Sequence, residues 1–149
     1  MTIRVQTEDF DVGAELLQLR LRNPSIGAVV SFLGLVRDLN DGASVDTMTL
    51  EHYPVMTEKA LNAITEKAKA RWDIIGTLVI HRVGELHACD QIVLVVVTSA
   101  HRQQAFQACE YIMDYLKTQA PFWKKEQTNG GERWVEAKAT DDEALTRWK

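Results

Sequence analysis

Six consecutive apolar residues, Ile92-Val93-Leu94-Val95-Val96-Val97, constrain this chain more than any other segment, and five of the six are β-branched. Such a run favours a strand, and because both of its alternating faces are apolar the strand must be central and covered on each side. The flanking sequence supplies the cover. Thr77 to Val83 is a second β-rich run, set apart by the separator Gly84 to Asp90. Thr98 or Ser99 is placed to cap a helix from about His101 to Thr118, on which Ala105, Phe106, Cys109, Ile112, Met113 and Leu116 fall on one stripe. Pro121 ends that helix, since the residue before a proline disfavours helical geometry.

The rest of the chain reads in the same terms. Thr2 to Gln6 suits a short edge strand, and Asp11 caps a short helix carrying Leu16, Leu17 and Leu21. Ile26 to Val36 is apolar at nearly every position and reads as a strand covered on both faces, in which Gly34 marks a bulge or a close approach. Polar Asp38 to Gly42 then forms a turn, with a β-type segment from Val45 to Tyr53 as the second of two joined strands. Pro54 stops that strand, and Thr57 to Trp72 is a helix with Leu61, Ile64 and Ala68 inward. Beyond Pro121 come an extended stretch over Phe122 to Gln127, a Thr128-Asn129-Gly130-Gly131 turn, a strand over Arg133 to Ala137, and a short helix over Asp141 to Trp148. No linker or repeat divides the chain, so residues 1–149 are expected to form one α+β domain, with two substantial helices on a mainly antiparallel sheet.

Of the 149 residues, 46% are hydrophobic and 26% charged, which excludes a disordered chain. A formal charge of −4 argues against general binding to a phosphate backbone, so no nucleic-acid partner is expected and any anion site must be local. The charge is unevenly spread. Residues 1–100 carry nine basic and thirteen acidic side chains, residues 127–149 four and five, and residues 101–126 four and three, the only positive balance. With no apolar leader and no stretch near the ~18 residues of a membrane span, a cytoplasmic protein is expected. Cys89 and Cys109 stand alone, without CxxC or zinc-ligand spacing, and are expected to be small buried hydrophobes in a reducing compartment. No metal and no cofactor is called for.

The basic residues of the positive segment are the candidates for chemistry. His101 and Arg102 fall in the first turn of a helix, where the dipole disfavours cations; either a bound anion joins them or both point into solvent. Lys117, four residues after Met113, lies at the edge of the apolar stripe, and Lys124 alternates with Phe122 and Glu126 on one face of the extended segment. Partly desolvated lysines among other cations become usable bases or nucleophiles. On spacing alone, ordinary surface lysines over Phe122 and Trp123 are the commoner case. Arg37, closing a strand beside Gly34, is a third basic candidate, whereas strand histidines such as His52 and His81 are more often structural. No Ser-His-Asp order, phosphate-binding glycine loop, dinucleotide fingerprint or HExxH is present.

Six segments in series carry a family resemblance: GAVVSFLGLVRD (27–38), LEHYPVMTEKAL (50–61), IHRVGEL (80–86), TSAHRQQAF (98–106), YIMDYLKTQAPFWKKE (111–126) and RWVEA (133–137). In order and spacing they resemble the large, catalytic subunit of molybdopterin synthase. The resemblance implies an α/β-hammerhead-type fold with an additional small α+β region. It implies insertion of two sulfurs into cyclic pyranopterin monophosphate, giving the dithiolene of molybdopterin. The sulfur donor is the thiocarboxylated C-terminal glycine of a small ubiquitin-like subunit, in a heterotetramer built on a central dimer of large subunits. By position the family's essential lysine is Lys117, its second active-site lysine Lys124, and its pocket arginine Arg37. His101 and Arg102 match residues presented by the other copy of the dimer, and Phe32 and Met113 match apolar positions near the pocket. Two departures stand out: Gln119 where some relatives are basic, and His87-Ala88-Cys89-Asp90 in place of a common proline-glycine turn. A non-catalytic module that binds a ubiquitin-like tail or a phosphorylated metabolite is the alternative.

Overall fold

The Ile92–Val97 run lies inside a four-stranded sheet, paired on both sides. In chain order the elements are β1 (Thr2–Gln6), α1 (Val12–Leu21), β2 (Ala28–Leu35), β3 (Leu39–Asn40), β4 (Ala43–His52), α2 (Pro54–Arg71) and β5 (Gly76–Arg82). They continue with β6 (Gly84–His87), β7 (Gln91–Ser99), α3 (Arg102–Gln119), β8 (Phe122–Thr128), β9 (Gly131–Val135) and α4 (Ala139–Thr146). This computed structural model describes residues 2–40, 43–128, 131–135 and 139–148. The first sheet has the order β1-β5-β7-β2, with β7 antiparallel to both neighbours and β1 parallel to β5. The second runs β3-β4-β8-β9, with β6 also pairing β4. The class is α+β with mostly antiparallel pairing, and the two long helices are α2 and α3.

Burial follows the alternation of β7. Val93, Val95 and Val97 pack with Leu61, Ile64 and Ala68 of α2 and with Ala105, Ala108, Ile112 and Leu116 of α3. Leu94 and Val96 face the other way, under Leu19 and Leu16 of α1. A third cluster, Val36, Met48, Leu50 and Leu86, belongs to the second sheet and its junction with the first. Helix starts are encoded locally: Asp11 accepts a hydrogen bond from the Ala14 N–H at 3.0 Å, and Pro54 occupies the first turn of α2, where its missing N–H costs nothing.

Several expectations are corrected. Strand β2 is an edge strand, and Val29, Phe32, Leu33 and Leu35 are 37 to 49% exposed, because among the described residues only β7 pairs with it. It is not joined to β4 as a partner either. After Val36 the chain crosses to the second sheet, and the polar segment makes its own short ladder, Leu39 opposite Ser44 and Asn40 opposite Ala43. Strand β6 lies inside what reads as a separator, and its Leu86 is 1% exposed. Helix α3 has His101 at its N-cap without a side-chain cap, since Thr98 and Ser99 remain in the strand; Ser99 Oγ donates to the Asp73 carbonyl at 2.9 Å and accepts from the N–H of His101 itself at 3.4 Å. Phe106 is off the buried stripe and 59% exposed. Cys89 is exposed, at the turn into β7, and only Cys109 is buried. Asp41, Gly42, Asn129, Gly130 and Ala137 lie outside the described residues. Gly34 behaves as read: the β2–β7 register shifts between Gly34 and Leu35, and a Cβ on Gly34 would meet Val93 Cγ1 at 2.8 Å.

Candidate functional site

One end of the first sheet gathers the predicted lysines. There Val93 of β7 is opposite both His81 of β5 and Gly34 of β2, so these three share a row on the face covered by α3. Helix α3 follows β7 and runs back along the sheet, bringing its C-terminal turn, with Lys117, toward that row. Pro121 then turns the chain into β8, whose Phe122 is opposite His52 and whose Lys124 is opposite Leu50. Alternation places Lys124 on the same face as Phe122.

Phe122 is held between two imidazoles. Its ring stacks on His81 at 3.7 Å between centroids and 14° between planes, and on His52 at 6.1 Å and 28°. His81 is 4% exposed, and burial, reinforced by the positive fields of Lys117 and Lys124 and by His52, pushes its pKa down to about 3. It is therefore neutral at any physiological pH. Its Nδ1 lies 2.8 Å from the Arg82 carbonyl oxygen, which can only accept, so Nδ1 carries the proton and Nε2 keeps its lone pair. His52 Nδ1 is buried with no partner among the described residues. A proton on His52 Nε2 avoids stranding a buried donor at Nδ1. The site thus holds two lysines around two imidazoles, of which His81 is fixed in its neutral form, a combination that favours anions and offers both a hydrogen-bond acceptor and a donor.

The other predicted residues divide by position. Arg37 is exposed and follows Val36, whose N–H donates to the Asp90 carbonyl at 2.9 Å and whose carbonyl accepts from the Cys89 N–H at 2.9 Å. Those bonds hold it at the same end of the sheet as His81. Phe32 reaches the same row: its Cε1 would be 3.4 Å from a Cβ on Gly34, so the missing side chain makes room for the ring. Met113 is buried one turn before Lys117. His101 and Arg102 are exposed at the opposite end of α3. Fifteen residues of helix separate Arg102 from Lys117, about 22 Å at 1.5 Å per residue. Within one chain they do not meet.

His81, His52 and Phe122 are the site residues that motif and spacing did not single out as functional. His81 closes a run of five buried residues in β5, Thr77 to His81, and a titratable residue at such a position is itself a signal. Cys109 is excluded as a reactive thiol, because burial, with Glu110 adjacent, pushes its pKa up to about 12. Among the described residues no His, Cys, Asp and Glu cluster could hold a metal ion, and no helix is long and apolar enough to cross a membrane.

Known proteins share this architecture. The family model described as MoaE protein matches residues 5–119. The chain is 65% identical over 147 residues to the molybdopterin synthase catalytic subunit of Ralstonia nicotianae, covering 99% of this chain and 84% of that protein. Among solved structures, the molybdopterin biosynthesis MoaE protein of Burkholderia ambifaria matches with a TM-score of 0.85 at 57% identity, over 99% of this chain and 97% of that one. Molybdopterin synthase from Staphylococcus aureus matches with a TM-score of 0.80 at 34% identity, over 89% and 96%.

Proposed function

Because this chain belongs to the MoaE protein family, we propose that it is the catalytic subunit of a molybdopterin synthase and that residues 1–149 act as a single synthase domain. In this reading it transfers two sulfurs to cyclic pyranopterin monophosphate, one from the thiocarboxylated C-terminal glycine of each of two small ubiquitin-like subunits used in turn, water replacing each sulfur so that each tail leaves as a carboxylate, and the product is the dithiolene of molybdopterin. The observation that carries the site assignment is the convergence of Lys117 and Lys124 on a buried histidine, His81, that is neutral at physiological pH. Both reactants are anions, a thiocarboxylate and a phosphate. Two ammonium groups at the edge of a partly dry pocket can hold them by charge-assisted hydrogen bonds and fix their register.

Lys117 orients the thiocarboxylate and moves protons as sulfur attacks the pterin side chain and the cyclic phosphate opens. Lys124, on the neighbouring strand, steadies the phosphate, and Arg37 adds a bidentate fork at the mouth. Phe32 and Met113 form apolar wall. His101 and Arg102 act in the site of a second copy, within a dimer of large subunits. A cytoplasmic location belongs to this reading, and the unpaired thiols of Cys89 and Cys109 fit a reducing compartment. No resident cofactor takes part.

A single-turnover assay with the purified chain, the thiocarboxylated partner and the cyclic monophosphate tests the assignment. Wild type yields the dithiolene. Lys117→Ala abolishes product while the partner still co-elutes with the large subunit, and retained sulfur transfer overturns the role of Lys117. Partner binding with no conversion by wild type identifies the non-catalytic module instead.

A further inference from the structure

The two lysines of the site belong to different sheets. Lys117 is on α3, which packs against Val93, Val95 and Val97 of the first sheet, whereas Lys124 is on β8, paired with β4 and β9 in the second. Their placement relative to each other therefore depends on how the sheets are joined. Backbone pairing sets Lys124 opposite Leu50 within its own sheet, and leaves open where that sheet stands against α3.

On the α3 side the joint is a pair of rings. His81 belongs to β5 of the first sheet and Phe122 opens β8 of the second, and the two stack 3.7 Å apart at 14° between planes. The neighbouring tie is weaker, since Thr57 Oγ1 of α2 reaches the Pro121 carbonyl only at 3.5 Å. Phe122 follows Lys117 by five residues and precedes Lys124 by two on the same strand face, so a displaced ring displaces Lys124 with little slack. Both ammonium groups act on the His81 ring through space, which puts the stack within electrostatic reach of each.

The ring of His81 is held in its plane. Its Nδ1–H donates to the Arg82 carbonyl at 2.8 Å. Arg82 is anchored in turn: Nε and Nη2 donate to the Thr7 carbonyl at 3.2 and 3.1 Å, and Nη1 donates to the Gln91 carbonyl at 3.1 Å. The end of β5 is thus tied to the end of β1 and the start of β7. Histidine combines a flat face for Phe122 with the N–H that makes this bond; leucine would fill the volume without a face to stack, and phenylalanine would stack without the bond.

We propose that His81 is a positioning residue for Lys124: by stacking on Phe122 across the joint between the sheets, it sets where Lys124 stands relative to Lys117. This rests on the reading above in which Lys124 steadies the substrate phosphate. In this role His81 acts through Phe122 and exchanges no proton with the reactants.

The test is a double-substitution cycle on the full chain, read by calorimetric binding of cyclic pyranopterin monophosphate in the presence of the partner with an unsulfurated tail, so that no reaction occurs. His81→Leu weakens binding about fivefold, the range of one aromatic pair. His81→Phe keeps the stack and lies between the two, nearer to wild type. In a Lys124→Ala background His81→Leu has no further effect, because the group through which it acts is gone, whereas a merely structural role would add its loss in full. Phe122→Leu removes the same stack from the other strand and gives the same fivefold loss, which decides the question if His81→Leu does not fold. With carbon-13-labelled lysine, the Lys124 resonance, assigned by its loss in Lys124→Arg, moves in His81→Leu and returns toward its wild-type position in His81→Phe. Binding unchanged in the folded leucine variants overturns the proposal, as does a loss that persists undiminished in Lys124→Ala, or a His81→Phe protein as weak as His81→Leu. If wild type binds the compound and makes no product with the thiocarboxylated partner, the catalytic reading fails while the binding cycle still decides the role of His81. If wild type does not bind it, the Lys124 resonance decides, and an unmoved resonance in His81→Leu overturns the proposal.

Discussion

Cys89 holds a φ of 74° in the turn joining β6 to β7, a left-handed conformation that a side chain disfavours by roughly 1 kcal/mol. The turn is closed by the Asp90 N–H on the His87 carbonyl at 3.0 Å and by Asp90 Oδ2 on the His87 N–H at 2.8 Å. The departure from a proline-glycine turn thus has a physical cost, carried by the residue standing where glycine is at ease. Cys89→Gly is expected to raise stability by about 1 kcal/mol, seen as a higher urea midpoint with unchanged slope. His81 sets a second expectation at this scale. Its pKa is about 3 when folded and near 6.5 when unfolded, so between those values the unfolded chain binds the extra proton. Its contribution is therefore whole above pH 6.5 and is lost as pH falls toward 3, at up to about 1.4 kcal/mol per pH unit. Comparing wild type with His81→Phe, which keeps a ring against Phe122, isolates the effect: the variant's stability falls less steeply with acid.

At the scale of elements, what the sequence made legible was what local rules decide. The central strand, the inward faces of both long helices, the cap at Asp11 and the break at Pro121 each follow from residues within a few positions. Apart from the N-cap of α3 and the outward Phe106, which are local, the errors are questions of what lies beside an element. Apolarity on both faces marks β7 and β2 alike, yet β7 has two neighbours in its sheet and β2 has one. Short β6 lacks a period long enough to see, and its strand character comes from pairing with β4. The lysines were legible by motif, whereas the stacked imidazoles depend on a meeting of β4, β5 and β8 that no local pattern encodes. Gly27 is another such case. Its N–H donates to the Ser99 carbonyl at 3.0 Å, and a Cβ there would lie 2.3 Å from the Ala100 carbonyl oxygen. A backbone oxygen cannot move aside without disturbing the start of α3. Gly27→Ala is expected to cost about 1 to 3 kcal/mol by denaturant unfolding, in the range of overpacked cores.

For the whole molecule, the separation of Arg102 from Lys117 along α3 decides how a site containing both could be built. A rigid helix does not fold back on itself, so one chain supplies one end and a second chain must supply the other. The surface is suited to such a contact: β2 exposes Val29, Leu33 and Leu35 along an edge, with Leu17 and Leu21 of α1 also exposed, and apolar edges of this kind are normally covered. In a closed two-fold dimer each site would take Lys117 from one copy and Arg102 from its partner. Lys117→Ala and Arg102→Ala homodimers then lack a working site by different routes. Mixed, unfolded and reassembled in equal amounts, they form heterodimers in which one site carries both substitutions and the other carries neither. With half the dimers mixed and half of their sites intact, sulfur transfer is expected to recover to about a quarter of the wild-type rate per chain. Recovery to that level, absent when each variant is reassembled alone, requires a site shared between copies; no recovery above the two parents means that Arg102 serves the chain that carries it, or no site at all.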